Sequence, residues 1–110
     1  MSGSDLFTGT LDLLILRTLG EGRLHGYGVA KQIRETSKGI LDVEEGALYP
    51  ALHRLERKGW LESTWGRTET NRRAKFYGLT KAGNAQLEVE SARWSDFSNA
   101  VAAVLQPRRG

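Results

Sequence analysis

The sequence predicts a mostly α-helical fold with one small β-hairpin and a long C-terminal helix. Three segments with apolar residues at helical spacing come first, and two short segments rich in aromatic and β-branched residues follow them. The last segment repeats apolar residues every seven positions. With 110 residues, 39% of them hydrophobic, the chain has the size of one compact domain.

The composition argues against several kinds of site. The chain has no cysteine, so it forms no disulfide or thiolate-bound metal centre, which fits the reducing cytoplasm. Apolar runs such as 13–16 are far too short to cross a membrane, and the first residues do not resemble a signal peptide. No nucleophile, set of metal ligands or phosphate-binding glycine loop accompanies His25 and His53. We therefore expect a cytoplasmic protein with no membrane contact, metal, cofactor or enzymatic activity.

The first helix is predicted to begin at a cap formed by Thr8 or Thr10 and to end near Leu19, before a glycine-rich break. One apolar stripe consists of Leu11, Leu14, Ile15 and Leu19. Leu13 and Leu16 project from a different side of the same helix. Two apolar faces imply two burial partners, the domain's own core and a second surface.

The second helix is predicted to begin within 25–28 and to continue to about Lys38, with Gly39 as the residue that ends it. Glycine suits this position because it can adopt a positive φ without steric conflict. Tyr27, Ala30 and Ile33 are placed to pack inward. His25 is predicted to be a loop or capping residue.

The third helix lies within 41–59, LDVEEGALYPALHRLERKG, and has two different faces. Asp42 and Glu45 resemble a capping box, which predicts a start near residue 43. The core face consists of Leu48, Leu52 and Leu55, and the opposite half presents Tyr49, Pro50, His53 and Arg57. Pro50 predicts a kink in a continuous helix, although a helix that starts at Pro50 is an alternative. The polar half is suited to contact a groove.

A β-hairpin follows, with strands predicted at 60–65 and 73–79 and a tip at 66–72. Four cations lie in or beside the tip with one acid, Glu69: they are Arg67, Arg72, Arg73 and Lys75. A basic tip is often only a solvated turn, but its position after the polar helix face favours nucleic acid. Three helices followed by a hairpin predict a winged helix-turn-helix.

The last helix is predicted to be capped by Thr80 and to end near Leu105, before Pro107. Apolar residues recur at heptad spacing in two series, Leu87, Trp94 and Val101 in one and Phe97 and Val104 in the other. At about 26 residues, or roughly 39 Å, this helix is too long for so small a domain to cover. An exposed apolar seam predicts a homodimer, with Leu13 and Leu16 as its complement. A helix folded back over its own domain is the alternative.

Four stretches of the chain closely resemble the PadR family of bacterial transcriptional regulators: GALYPALHRLERKGWLE, LDLLILRTL, HGYGVAKQI and NRRAKFYGLTKAG. The resemblance covers 10–105. Its details are similar to the acidobacterial-type branch and to the short subfamily, in which one C-terminal helix makes the dimer. The resemblance implies a dimeric repressor that binds a roughly palindromic operator in double-stranded DNA and releases it when an effector arrives.

Residue roles follow from this resemblance. Family members place the third helix in the major groove and the wing against the phosphates, and here Tyr49 and Pro50 match the motif tyrosine and proline. Ala47 departs from the Ser or Thr that is frequent at its position. In short members of the family, an aromatic residue at the position that matches Trp94 lines a cavity between subunits and stacks flat hydrophobic ligands. This resemblance makes Trp94 and Phe97 candidates for an effector site. Alternatively, Trp94 only fills the dimer seam.

Taken together, these inferences assign candidate residues and segments. The predicted DNA contacts are Tyr49, Pro50, His53, Arg54, Lys31, Arg34, Arg67, Arg72, Arg73 and Lys75. The predicted dimer contacts are Leu13, Leu16, Leu87, Trp94, Phe97, Val101 and Val104. The segments are a flexible N-terminus (1–9), the DNA-binding domain (10–80), the dimerisation helix (81–105) and a tail (106–110). The alternative function is a winged-helix protein-interaction module without DNA binding.

Overall fold

A computed structural model describes the backbone of residues 3–108 and the side chains of 9–108. The elements in chain order are α1 (Gly3–Leu19), β1 (Leu24–His25), α2 (Gly26–Thr36), α3 (Glu45–Arg57), β2 (Leu61–Arg67), β3 (Arg73–Leu79) and α4 (Lys81–Leu105). Helices and a small antiparallel sheet confirm the predicted fold class. Within the described residues, no helix has both the length and the apolar character needed to span a membrane.

Helix α1 begins at Gly3, earlier than predicted. Thr8 and Thr10 lie inside the helix, so the predicted cap is wrong, and most of the predicted flexible N-terminus is helical from Gly3 onward. Residues 1 and 2 lie outside the described part of the chain. Several small polar residues stand in this segment, and cap preference alone does not decide which of them precedes the helix.

The core surrounds α1 on more than one side, because α1 contacts α2, α3, α4 and β3. Ile15 and Leu16 are both 0% exposed. The prediction that Leu16 faces a partner subunit is therefore wrong, since its side chain is already buried within the chain. Leu13 remains partly exposed. The two apolar faces of α1 are explained mainly by one core that wraps around it.

The predicted core face of α3 is confirmed, and Leu48, Leu52 and Leu55 are all at most 1% exposed. The helix begins at Glu45, two residues later than predicted, and continues through Pro50 as one helix. Glu44 is the N-cap residue, and no side chain makes a capping hydrogen bond there. The predicted capping box is therefore wrong.

The sheet has three strands in the order β1-β3-β2, one more than predicted. In β1, Leu24 lies opposite Tyr77 and His25 lies opposite Phe76 of β3. The Nδ1 of His25 also accepts a hydrogen bond from the Gly28 amide at 3.0 Å, which confirms the predicted capping role. A strand of two residues has no periodicity for sequence analysis to detect.

Helix α2 begins at Gly26, within the predicted 25–28, but its inward-facing residues and its end differ from the prediction. Tyr27 is 62% exposed, so its predicted inward packing is wrong, and Val29, at 0% exposed, is buried instead. The helix ends at Thr36, and Lys38 already has a positive φ of 55°. Gly39, with a φ of 83°, is the turn residue that the sequence predicted.

The start of α4 is anchored to the end of α3. Thr80 accepts a hydrogen bond from the Gly83 amide at 3.0 Å and donates one to the Gly59 carbonyl at 2.6 Å, so the predicted cap is confirmed. A Cβ atom on Gly83 would lie 2.0 Å from the Trp60 carbonyl oxygen, so only glycine permits this approach. Leu87 packs against the core, and the helix then extends away from it.

Candidate nucleic-acid interface

The exposed face of α3 carries Tyr49, Pro50 and His53, opposite the buried leucines. Tyr49 is 38% exposed, and its ring packs over the backbone at the start of α2. A Cβ atom on Gly26 would lie 2.7 Å from the Cε1 atom of Tyr49, so a side chain there would displace the ring. Gly26 therefore positions Tyr49, a role that the sequence analysis missed.

Arg54 does not belong to this face. Its guanidinium forms an ion pair and hydrogen bond with the Asp12 carboxylate of α1. The two side chains are 30% and 15% exposed, respectively, so the pair is partly buried. The charge of Arg54 thus joins two helices of the domain, and the predicted DNA contact by Arg54 stays a prediction.

Three predicted wing cations are exposed: Arg67, Arg72 and Arg73. The Arg73 guanidinium lies over the Trp65 indole, 4.4 Å from the ring centroid, and Arg67 donates to the Asn71 carbonyl at 3.3 Å. Two hydrogen bonds close the tip. The Thr68 amide donates to the Arg72 carbonyl at 2.9 Å, and the Arg72 amide donates to the Thr68 hydroxyl at 3.1 Å. The tip is thus a closed turn that presents three cations to solvent.

Lys75 differs from the other wing cations, because its Nζ lies 3.2 Å from Oε1 of Glu56 on α3. The Ser63 hydroxyl donates to the other oxygen of Glu56 at 2.5 Å. This hydrogen bond, together with Lys75, holds the pKa of Glu56 below its usual value despite the opposing effect of burial. Sequence analysis included Lys75 but missed both Glu56 and Ser63.

A broad cleft of about 1060 Å³ separates the start of α2 from the wing, and Tyr49 borders it. Lys31 and the exposed Tyr27 line it on one side, and Trp65 and Arg73 on the other. Lys31 also lies 3.9 Å from Glu35 in an exposed pair that adds little stability. Arg34 is exposed on the same helix but does not line the cleft.

The distal part of α4 presents apolar side chains to solvent within a single chain. Trp94 is 43%, Val101 40% and Val104 84% exposed, and Phe97 is partly exposed. The rings of Trp94 and Phe97 are in contact, with centroids 5.9 Å apart. Leu87 packs on its own core, so the helix covers its own domain only at its start.

Burial raises the pKa of Tyr77, which is 2% exposed in the core next to the wing. Across the described residues, no three potential metal-ligating side chains are grouped together. The concave side of the domain combines an exposed helix face with a basic wing.

Comparisons with known proteins agree with this description. Residues 15–89 match the family described as Transcriptional regulator PadR-like family. A transcriptional regulator from Clostridium thermocellum is 29% identical, with a TM-score of 0.83 over 93% of this chain and 99% of that one. A PadR family transcription regulator from Clostridium difficile R20291 is 31% identical, with a TM-score of 0.75 over 87% and 98%. Uncharacterized protein X of Lysinibacillus sphaericus is 29% identical over 92% of this chain and 93% of its own length.

Proposed function

This chain belongs to the PadR-like family of transcriptional regulators, and we propose that it acts as a dimeric repressor of genes close to its own. Members of this family are DNA-binding regulators and not enzymes, so the chain regulates transcription by binding DNA. Our proposal adds repression, a homodimer, a palindromic operator, release by an effector and action in the cytoplasm. Residues 10–80 would bind DNA and residues 81–105 would join the subunits.

The observation that carries this proposal is the exposed face of α3 beside the basic wing. A helix fits the major groove, where side chains can contact base edges, and we assign this role to Tyr49, Pro50 and His53. The wing arginines would neutralise phosphates, as Lys31 and Arg34 would beside them, and such contacts add affinity without reading sequence. Arg54 and Lys75 are excluded from this set because each is paired with a carboxylate.

The exposed apolar seam of α4 supports dimerisation. Trp94, Phe97, Val101 and Val104 would pack against the partner chain, with Leu13 of α1 as a neighbouring contact. Two domains related by a two-fold axis would bind two half-sites of opposite orientation, and a palindromic operator follows from that symmetry. Leu87 would lie at the inner end of the seam, next to its own core.

The effector site belongs to the same seam. The Trp94 and Phe97 rings are in contact with their planes tilted by 38°, and the exposed Trp94 indole offers a flat apolar face. Aromatic rings of this kind stack planar hydrophobic molecules in pockets, and we propose such a molecule as the effector. Titration of planar aromatic compounds should quench tryptophan fluorescence in the wild type but much less in Trp94→Phe. Equal quenching in both proteins would contradict this site.

Protection mapping of the DNA upstream of the gene tests the proposal as a whole. We expect one protected region with two related half-sites about one helical turn or a multiple apart, and an affinity that falls steeply with salt. Transcription from that promoter should rise when the gene is deleted. Indifference to this DNA at low salt would favour the alternative, a protein-interaction module, and a fall in transcription would contradict repression.

A further inference from the structure

We propose that Glu56 determines the DNA specificity of this protein by tying the wing to α3 and by holding Lys75 away from the phosphates. Glu56 is a positioning residue in this proposal, because it acts through Ser63 and Lys75 and does not touch DNA itself. The inference rests on the proposed binding of DNA by α3 and the wing together.

One carboxylate bridges three elements. Its Oε2 accepts a hydrogen bond from the Ser63 hydroxyl of β2 at 2.5 Å, and its Oε1 pairs with the Lys75 ammonium of β3 at 3.2 Å. Glu56 itself lies on α3, three residues after His53 and therefore on a neighbouring part of the helix surface. Each strand of the wing is thus joined separately to the helix that presents the groove-facing side chains.

These bonds lie at the boundary between the core and the exposed half of the wing. Leu61 and Tyr77 are both 2% exposed, and these are the residues that anchor the base of the hairpin. Ser63 and Tyr77 lie opposite each other in the hairpin. Two residues farther toward the tip on each strand, Trp65 lies opposite Lys75 and is 61% exposed. The Glu56 side chain is 30% exposed, so its bonds are partly shielded from solvent. Beyond these bonds, the wing tip projects from the domain.

The arrangement has an electrostatic consequence as well. Lys75 is paired with a carboxylate, and an unpaired lysine at that place would be free to reach a phosphate. Each phosphate neutralised adds affinity on every sequence and steepens the salt dependence by about one unit of slope. By retaining an acid beside the DNA-facing surface, the protein gives up non-specific affinity and gains a defined spacing between wing and helix.

The test compares Glu56→Gln with Glu62→Gln. Glu62 is a matched control, since it lies on β2 and pairs with Arg23 at 3.3 Å but on the outer face of the sheet, with a 60% exposed side chain. Each protein is titrated with the DNA identified by protection mapping and with an unrelated duplex of equal length, at several salt concentrations. For Glu56→Gln we expect tighter non-operator binding, weaker operator binding and a specificity ratio that falls roughly tenfold.

Two further variants test the release of Lys75 and the bond from Ser63 separately. In a Lys75→Met background, Glu56→Gln should no longer tighten non-operator binding, because no lysine is left to release. Ser63→Ala removes only the β2 bond and no charge, so it should weaken operator binding and leave non-operator binding unchanged. If Glu56→Gln proves unstable in thermal denaturation, Ser63→Ala still tests whether the bond between α3 and the wing affects operator binding.

The outcomes distinguish this inference from the proposed function. If the wild type prefers its operator and Glu56→Gln retains the same specificity ratio as Glu62→Gln, the role of Glu56 is refuted and the proposed function stands. A wild type that shows no preference for any upstream DNA refutes the proposed function itself. An unchanged specificity ratio in Ser63→Ala would refute a role in specificity for the bond between Glu56 and β2.

Discussion

At the scale of single residues, the polar side chains of α3 separate into those that join parts of the domain and those that remain exposed. Arg54 pairs with Asp12 on α1, and Glu56 pairs with the wing. Tyr49 and His53 remain exposed on the same helix. A polar residue near a binding face is therefore not automatically a contact, because a partner distant in the sequence can already hold it.

Arg54→Ala should lower the free energy of unfolding by about 1–3 kcal/mol, because the Asp12 carboxylate would lose its charged partner in a partly buried position. Asp12→Asn should have a similar effect, and the double variant should be little worse than either single one. Urea denaturation measures all three. The salt dependence of DNA binding should stay unchanged, and a flatter slope with normal stability would return Arg54 to the DNA contacts.

The stabilisation provided by Glu56 should depend on pH. Its pKa is lowered in the folded protein, first by the hydrogen bond from Ser63 and also by Lys75. The ionised form is therefore favoured by folding, so the stabilisation is present above the unfolded pKa of about 4.3 and is lost as the pH falls through the folded pKa. The difference in unfolding free energy between wild type and Glu56→Gln should be largest near neutrality and should shrink as the pH falls through the lowered pKa of Glu56 in the folded protein. A difference that grows on acidification would contradict the assignment.

At the scale of elements, the wing is a closed hairpin whose cations serve different purposes. Lys75 is bound to α3, and Arg73 lies over Trp65. Arg72 is exposed, and its amide bonds to Thr68 at the tip. The backbone of the turn thus fixes the tip without using the guanidinium groups of Arg72 and Arg73, which remain available to phosphates.

Replacing both Arg72 and Arg73 with alanine should weaken binding by a similar factor on operator and non-operator DNA, and should flatten the salt slope by about two units. Both charges are exposed, so stability should change by less than about 0.5 kcal/mol. Binding isotherms at four or five salt concentrations supply the slope. A loss confined to the operator would mean that these arginines contact base edges.

At the scale of the whole molecule, the chain is elongated, with extents of 62 × 29 × 24 Å. The elongation comes with a C-terminal helix that leaves the core and carries exposed apolar residues, of which Val104 and Leu105 are 84% and 75% exposed. Such a surface normally marks an interaction site. It supports a second copy of the chain as its partner.

Trp94→Asp should convert the proposed dimer largely to monomer, because a carboxylate would be placed in an apolar seam. Ala92→Asp is the matched control, since Ala92 is exposed on the same helix and two residues away, on nearly the opposite side. Sedimentation velocity over a range of concentrations distinguishes the two. If both variants remain dimeric, the seam does not include Trp94.

Much of this protein was predictable from local sequence. Spacing of three and four residues predicted the core face of α3, a threonine predicted the cap of α4, and a glycine predicted the turn after α2. These features depend on backbone geometry and on neighbours within one helical turn, so a short stretch of sequence contains all the relevant information. The hairpin and the exposed seam of α4 were predictable for the same reason.

Other features were decided only by tertiary structure. Residues 42 positions apart form the Asp12–Arg54 pair, residues 19 positions apart form the Glu56–Lys75 pair, and β1 exists only because β3 lies beside it. Leu16 was assigned to a second face, but other elements of the same chain bury it. Periodicity shows which side chains share a face, but the partner of that face depends on how distant segments pack together. For this reason the sequence by itself predicted the exposed polar face of α3, and only the folded chain decided that Arg54 and Glu56 are paired with other elements.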